Sequence, residues 1–208
     1  MNRPHRAGSR PALLALAAVF VLGAFAAAFL GGTRHADAAV CTKSWAAAAS
    51  GSWDVGANWS GGTVPAGGDD VCIDVAGTYT VTLNGGHSVH SVTVGHATTG
   101  TQTLSIEGTG VINTTFSIGA ASATTTHGVI TLTSTGGGYS QLQLAGNTLT
   151  NAGTLQVLPG AGGSRFLDGG PLVNSGSVVV SAALSSNGSL AVTNTGNVTA
   201  NAAWTISG

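Results

Sequence analysis

The chain has 208 residues, 33 of them glycine, and only 6% are charged, yet its mean hydropathy is +0.33. That combination excludes a disordered, highly charged chain, because regularly spaced apolar residues are available for burial. Beyond residue 38 the only cations are Lys43 and Arg165, against Asp54, Asp69, Asp70, Asp74, Glu107 and Asp168, which excludes the basic footprint of a nucleic-acid binder.

The first segment reads as a targeting signal. Arg3, Arg6 and Arg10 precede an apolar, uncharged run over 11–30, and Ala36-Asp37-Ala38 follows. This order predicts a signal peptide over 1–38, cleaved after Ala38. The apolar run approaches the ~20 residues that span a bilayer. An uncleaved signal anchor is therefore the competing reading, and the one route to a membrane. Localisation is expected to be secreted or cell surface. In an oxidising compartment the two cysteines, Cys41 and Cys72, are expected to pair. Closing that loop would contribute about 3–4 kcal/mol on the chain-entropy argument.

Residues 39–75 form a candidate N-terminal cap. They hold Trp45, Trp53 and Trp59, both cysteines, and the acidic residues Asp54, Asp69, Asp70 and Asp74. A stacked fold needs an atypical first unit to cover its apolar end and open edges. The rival expectation is that Trp45, Trp53 and Trp59 form an exposed aromatic platform for sugar rings.

From Thr78 onward short alternating strands recur between Gly, Asn and Thr clusters, beginning with Tyr79, Val81 and Leu83 on one face. No window beyond the signal shows a helical period. Three segments share one pattern: Leu149-Thr150-Asn151-Ala152-Gly153, Leu172-Val173-Asn174-Ser175-Gly176 and Val192-Thr193-Asn194-Thr195-Gly196. Spacing of this order, with one turn per unit, signals a stacked solenoid. The expected fold is all-β: a parallel β-helix, or β-solenoid, over 76–208 after a cleaved signal helix. Coils of about 20–24 residues, rising ~4.8 Å each, would give about six coils. Gly153, Gly176 and Gly196 are expected at positive-φ turn positions. Asn151, Asn174 and Asn194 either start local turns or stack as an amide ladder.

The cap string carries a resemblance. Gly51, Trp53, Asn58, Trp59, Pro65, Asp69 or Asp70, and Ile73 resemble the opening of bacterial secreted and cell-surface β-solenoid proteins, where such a segment precedes autotransporter- or haemagglutinin-like adhesin repeats. The Asn-x-Gly repeats extend the likeness downstream. The resemblance implies a scaffold and no particular chemistry.

No catalytic or cofactor set emerges. Asp69, Asp70 and Asp74 read as a solvated turn, and no calcium-loop spacing accompanies them. Arg165 and Asp168 read as a surface ion pair. His87, His90 and His96 are close in sequence, but His87 and His90 would point to opposite faces of an extended chain, so no metal site is expected. The Thr-x-Thr segments at 80–82, 101–103, 131–133 and 148–150 raise a likeness by motif to ice-binding solenoids, although Thr is also a good exposed strand residue. The expectation is a non-enzymatic structural or adhesion protein without cofactors. The alternatives are a carbohydrate-binding module or a polysaccharide-lyase-like β-helix. Glycans or other surface proteins are the expected partners, with self-association through the solenoid ends.

Overall fold

The computed structural model describes residues 40–207; the signal-peptide expectation lies outside the described residues. The chain winds as a parallel β-solenoid of seven successive coils. β1 (Lys43–Ser44) and β2 (Gly51–Ser52) belong to the first. The second holds β3 (Asp70–Ile73), β4 (Gly77–Leu83) and β5 (Gly86–Val89), and the third β6 (Ser91–Val94), β7 (Gly100–Gly108) and β8 (Thr114–Ile118). Then follow β9 (Ser122–Thr124), β10 (Gly128–Ser134) and β11 (Ser140–Gln143); and β12 (Leu149–Asn151), β13 (Thr154–Val157) and β14 (Arg165–Asp168). The last two coils are β15 (Pro171–Asn174), β16 (Ser177–Val180) and β17 (Leu184–Ser186), and β18 (Ala191–Asn194), β19 (Asn197–Ala200) and β20 (Trp204–Ile206).

Each coil lays one strand on each of three sheets. Sheet 1 runs β1-β3-β6-β9-β12-β15-β18, sheet 2 runs β2-β4-β7-β10-β13-β16-β19, and sheet 3 runs β5-β8-β11-β14-β17-β20. The first coil adds no strand to sheet 3. Between β2 and β3 it carries two 3-10 turns instead, Gly56–Asn58 and Ser60–Gly62.

Coil length is less uniform than the sequence pattern predicts. Sheet 1 partners run Cys72, Thr93, Ala123, Thr150, Val173 and Thr193. The step is 30 residues from 93 to 123 and shrinks to 20 from 173 to 193. The step of 21 from 72 to 93 and the last two, 23 and 20, fall in the expected range, while the two between them, 30 and 27, exceed it. The difference sits in the corners, because strands must stay in register while corner loops are free to lengthen.

Period-2 alternation puts one row of each strand inside. Val81, Leu104, Ile130, Leu155 and Val178 stack as one inward column of sheet 2, and Leu83, Ile106, Leu132, Val157 and Val180 as another. Phe116, Leu142 and Leu167 do the same for sheet 3. Because every coil places an apolar residue at the same point, burial is continuous along the stack.

One inward column of sheet 1 changes character partway. It reads Ile73, Val94, Thr124, Asn151, Asn174, Asn194. The amides form a ladder: Asn151 Nδ2 donates to Asn174 Oδ1 at 2.7 Å, and Asn174 Nδ2 to Asn194 Oδ1 at 2.6 Å. Each also donates to a backbone carbonyl of the next coil, Asn151 to Ser177 O and Asn174 to Asn197 O. Thr124 joins the two regimes. Its hydroxyl donates to Asn151 Oδ1 at 2.6 Å and accepts from the Gly153 amide. A hydroxyl with a methyl on one side chain suits a position between an aliphatic stack and an amide stack.

The repeat glycines owe their place to close approach and not to a left-handed backbone. None of Gly153, Gly176 and Gly196 is among the positive-φ glycines. A Cβ on Gly176 would lie 2.2 Å from Gly153 O and 2.5 Å from Ala152 O, and one on Gly196 would lie 2.2 Å from Gly176 O. Corner backbones one coil apart leave no room for a methyl group. Gly176→Ala is therefore expected to destabilise by about 2–3 kcal/mol, as overpacking against backbone does. Gly188→Ala is the control: its φ is +81° but nothing lies within 4 Å of the added Cβ, so only backbone strain of about 1 kcal/mol applies. Equilibrium denaturation of both variants checks the order.

Candidate functional site

The tryptophans are inside. Trp45, Trp53 and Trp59 are 3%, 0% and 2% exposed, so they offer no indole face to a sugar ring. Trp45 and Trp59 meet edge to face at 4.9 Å, and Trp53 meets Trp59 at 4.6 Å and Phe116 at 5.2 Å. Trp59 Nε1 donates to Trp53 O at 2.7 Å, and Trp45 Nε1 to Ala49 O. The cluster packs against the stack on the side where the first coil lacks its sheet 3 strand. Aromatic rings fill that end, with the ring N–H groups of Trp45 and Trp59 bonded and that of Trp53 buried without a partner. Asn58 belongs to the same unit: its Nδ2 donates to Ser52 O, and a Cβ on Gly51 would lie 2.7 Å from that nitrogen.

Cys41 and Cys72 are joined in a disulfide with Cα atoms 5.7 Å apart. The link ties the chain ahead of β1 to β3. Asp74 lies with these sulfurs in a group of metal-ligand type, but a disulfide sulfur is not a thiolate and offers no ligand charge.

Asp69 and Asp70 tie successive coils together, Asp69 the first to the second and Asp70 the second to the third, and are not a solvated turn. Asp69 accepts from the Ala66 amide at 2.8 Å and the Thr42 hydroxyl at 3.0 Å. Asp70, on β3, accepts from the Ser91 hydroxyl and lies 2.8 Å from His90 Nδ1. Those bonds, that from Ser91 foremost and then that from His90, lower the Asp70 pKa below its ordinary 3.8. A depressed carboxylate pKa stabilises the folded state above the unfolded value and loses that contribution as pH falls through the folded value. Wild type is thus expected to out-stabilise Asp70→Asn at neutral pH, with the gap closing below pH 3.8. Melting curves of the two proteins from pH 7 to 2.5 read this directly; a gap unchanged at pH 2.5 would contradict it.

The histidines do not converge. His87 faces inward with Nε2 3.0 Å from Asp54 Oδ1 and 3.1 Å from Asn84 O. His90 turns outward to Asp70, while His96 Nδ1 accepts from the Thr98 amide. Each imidazole has its own local partners.

Arg165 and Asp168 are not a surface pair. Both are 6% exposed, and the ion pairs among the described residues are those of His87 with Asp54 and His90 with Asp70. Asp168 accepts instead from Gln141 Nε2 and the Asn187 amide, each at 2.6 Å. Arg165 points inward, in phase with Leu167. The signal was present in the strand parity: Leu167 stacks on Leu142, and a residue two positions before an inward residue is inward too.

What sheet 2 turns outward is a largely neutral polar face, with Glu107 on β7 as its one charge and Thr131 only 4% exposed beneath Gln156. On sheet 2, Ser52, Thr82, Ser105, Thr131, Gln156, Val179 and Thr199 align in one column across all seven coils. Thr80, Thr103, Val129, Thr154, Ser177 and Asn197 align in the next. No charged residue interrupts either column. Gln156 and Val179 break the Thr and Ser series, so the face is not a uniform threonine array.

Comparison with protein families, with characterised proteins and with solved structures finds no match to this chain.

Proposed function

We propose that this protein is an exported, non-enzymatic scaffold that acts in cell-surface or extracellular structure and adhesion. The single observation that supports the reading is the seven-coil outward face of sheet 2, mostly hydroxyl and amide side chains with Glu107 as its one charge. It would meet glycans or other surface proteins through many weak hydrogen bonds at ~4.8 Å intervals. Shape and hydrogen bonding would set affinity, since Glu107 is the one charge on the sheet 2 strands and offers little to steer a partner. Two further features favour this role. The disulfide fits an oxidising compartment. Among the described residues, Asp54, Asp69, Asp70, Asp168, His87 and His90 are engaged in local bonds, as the ties of a scaffold would be.

The test combines location and binding. Fractionation of the native host is expected to find the protein outside the cytoplasm, and recovery only from the cytosol would refute export. Purified mature protein is expected to sediment with insoluble polysaccharides or intact cell envelopes. Thr103→Lys with Thr154→Lys, both outward on sheet 2, should cut that binding about tenfold or more while leaving the melting temperature unchanged. Undiminished binding by the double variant would remove sheet 2 from the proposal.

A further inference from the structure

Besides the asparagine ladder of sheet 1, the apolar interior of this prism turns polar at the corner between sheets 2 and 3. Four sheet 3 residues stack there in register: Thr114, Ser140, Arg165 and Leu184. Thr114 is satisfied, because its hydroxyl donates to Glu107 O and accepts from the Gly85 amide. Ser140 and Arg165 are not. Arg165 Nη1 donates to Gly162 O and Gly163 O, but Nε and Nη2, and the Ser140 hydroxyl one coil below, are buried without any partner.

This orphaned group is a whole charge. Arginine stays protonated in proteins. No carboxylate pairs with it, since both Asp168 oxygens are taken by Gln141 and Asn187. Burial lowers the Arg165 pKa from its ordinary value, with no opposing charge acting to restore it. A buried cation without a counter-charge costs several kcal/mol. A water molecule would satisfy the N–H groups and leave that cost standing.

We propose that this corner binds a small monovalent anion of the chloride class, held by the Nε–Nη2 edge of Arg165 and the Ser140 hydroxyl. That edge presents two parallel N–H donors, the geometry arginine uses for anions. Leu184, one coil above, is buried and closes the site toward the C-terminal end. Close packing at this corner favours a small anion over phosphate or sulfate. The Gly-rich corner loops are tightly stacked: a Cβ on Gly160 would lie 1.8 Å from Ser134 O and 2.9 Å from Arg165 Nη2. The anion would act as a structural ligand, neutralising the charge that the fold has drawn inside. This assignment is independent of the adhesion role.

The experiment is thermal unfolding of the mature protein at constant sodium and ionic strength, with chloride replacing gluconate, which is too large to enter. A ligand that binds only the folded state raises stability with the logarithm of its concentration. A twentyfold rise in chloride above its dissociation constant should raise Tm by about 4 °C. Ser140→Ala should weaken the dependence and Arg165→Met should abolish it. If Arg165→Met does not fold, diffraction from bromide-soaked wild-type crystals decides, with an anomalous peak expected beside Nε and Nη2. Equal Tm in chloride and gluconate, or a bromide map without a peak there, would overturn the assignment.

Discussion

Replacing Trp59 by alanine is expected to destabilise the protein by about 3–5 kcal/mol, the range for truncating a fully buried large aromatic. The ring is 2% exposed and touches both Trp45 and Trp53 edge to face. Truncation loses that area, both ring contacts, and the Nε1 bond to Trp53 O. It also opens the end of the stack, because the first coil has no sheet 3 strand to stand in for the ring. The loss should therefore be local as well as global. Hydrogen exchange is expected to show β2, β4 and β5 opening before β13 to β19, since coils touch only their neighbours and can fray from an uncapped end. Denaturant midpoints with exchange mass spectrometry check both parts. A Trp59→Phe variant should recover most of the packing and little of the hydrogen bond. A cost under about 1 kcal/mol for Trp59→Ala would mean that the cluster does not cap the fold.

Asn174→Ala is expected to cost about 3–4 kcal/mol, because it strands the groups on either side. Asn174 accepts from Asn151 and donates to Asn194 and to Asn197 O. A buried donor left unpaired costs about 1–3 kcal/mol beyond the bond itself. The earlier coils of the same column suggest how to separate the two contributions. Ile73 and Val94 show that the same inward position accepts aliphatic residues. The double change Asn151→Leu with Asn174→Leu should thus cost less than the sum of the single changes, because the second removes the amide that the first has orphaned. A double-mutant cycle measures this. Strict additivity would show that the amides act as separate turn formers and not as a ladder.

The ladder is where most was legible in advance. Asn151, Asn174 and Asn194 recur at one place in successive repeats, and a parallel stack sets such residues directly above one another. Whether they bond to each other or to their own turns depends on which way the side chains point. Strand parity relative to Leu149 and Leu172, both inward, answers that. Thr124 could not be found in the same way, because it lacks the repeat motif and lies 27 residues before Asn151. Longer corner loops in the earlier coils hide its register.

Local alternation, turn composition and the repeat by themselves determined that the chain beyond the signal segment is all-β and wound in parallel coils. These are properties of residues two positions, or one coil, apart, and strand geometry converts them directly into structure. Only the tertiary structure decided that the three tryptophans are core and not platform, that Gly176 is needed for coil-to-coil approach and not for its φ, and that Arg165 lies inside without a carboxylate. Each of those depends on a residue of another coil: Phe116 against Trp53, Gly153 O beneath Gly176, Ser140 beneath Arg165. Corner loops of unequal length set those distances, and a loop's length in sequence does not reveal what its neighbour one coil away will leave room for.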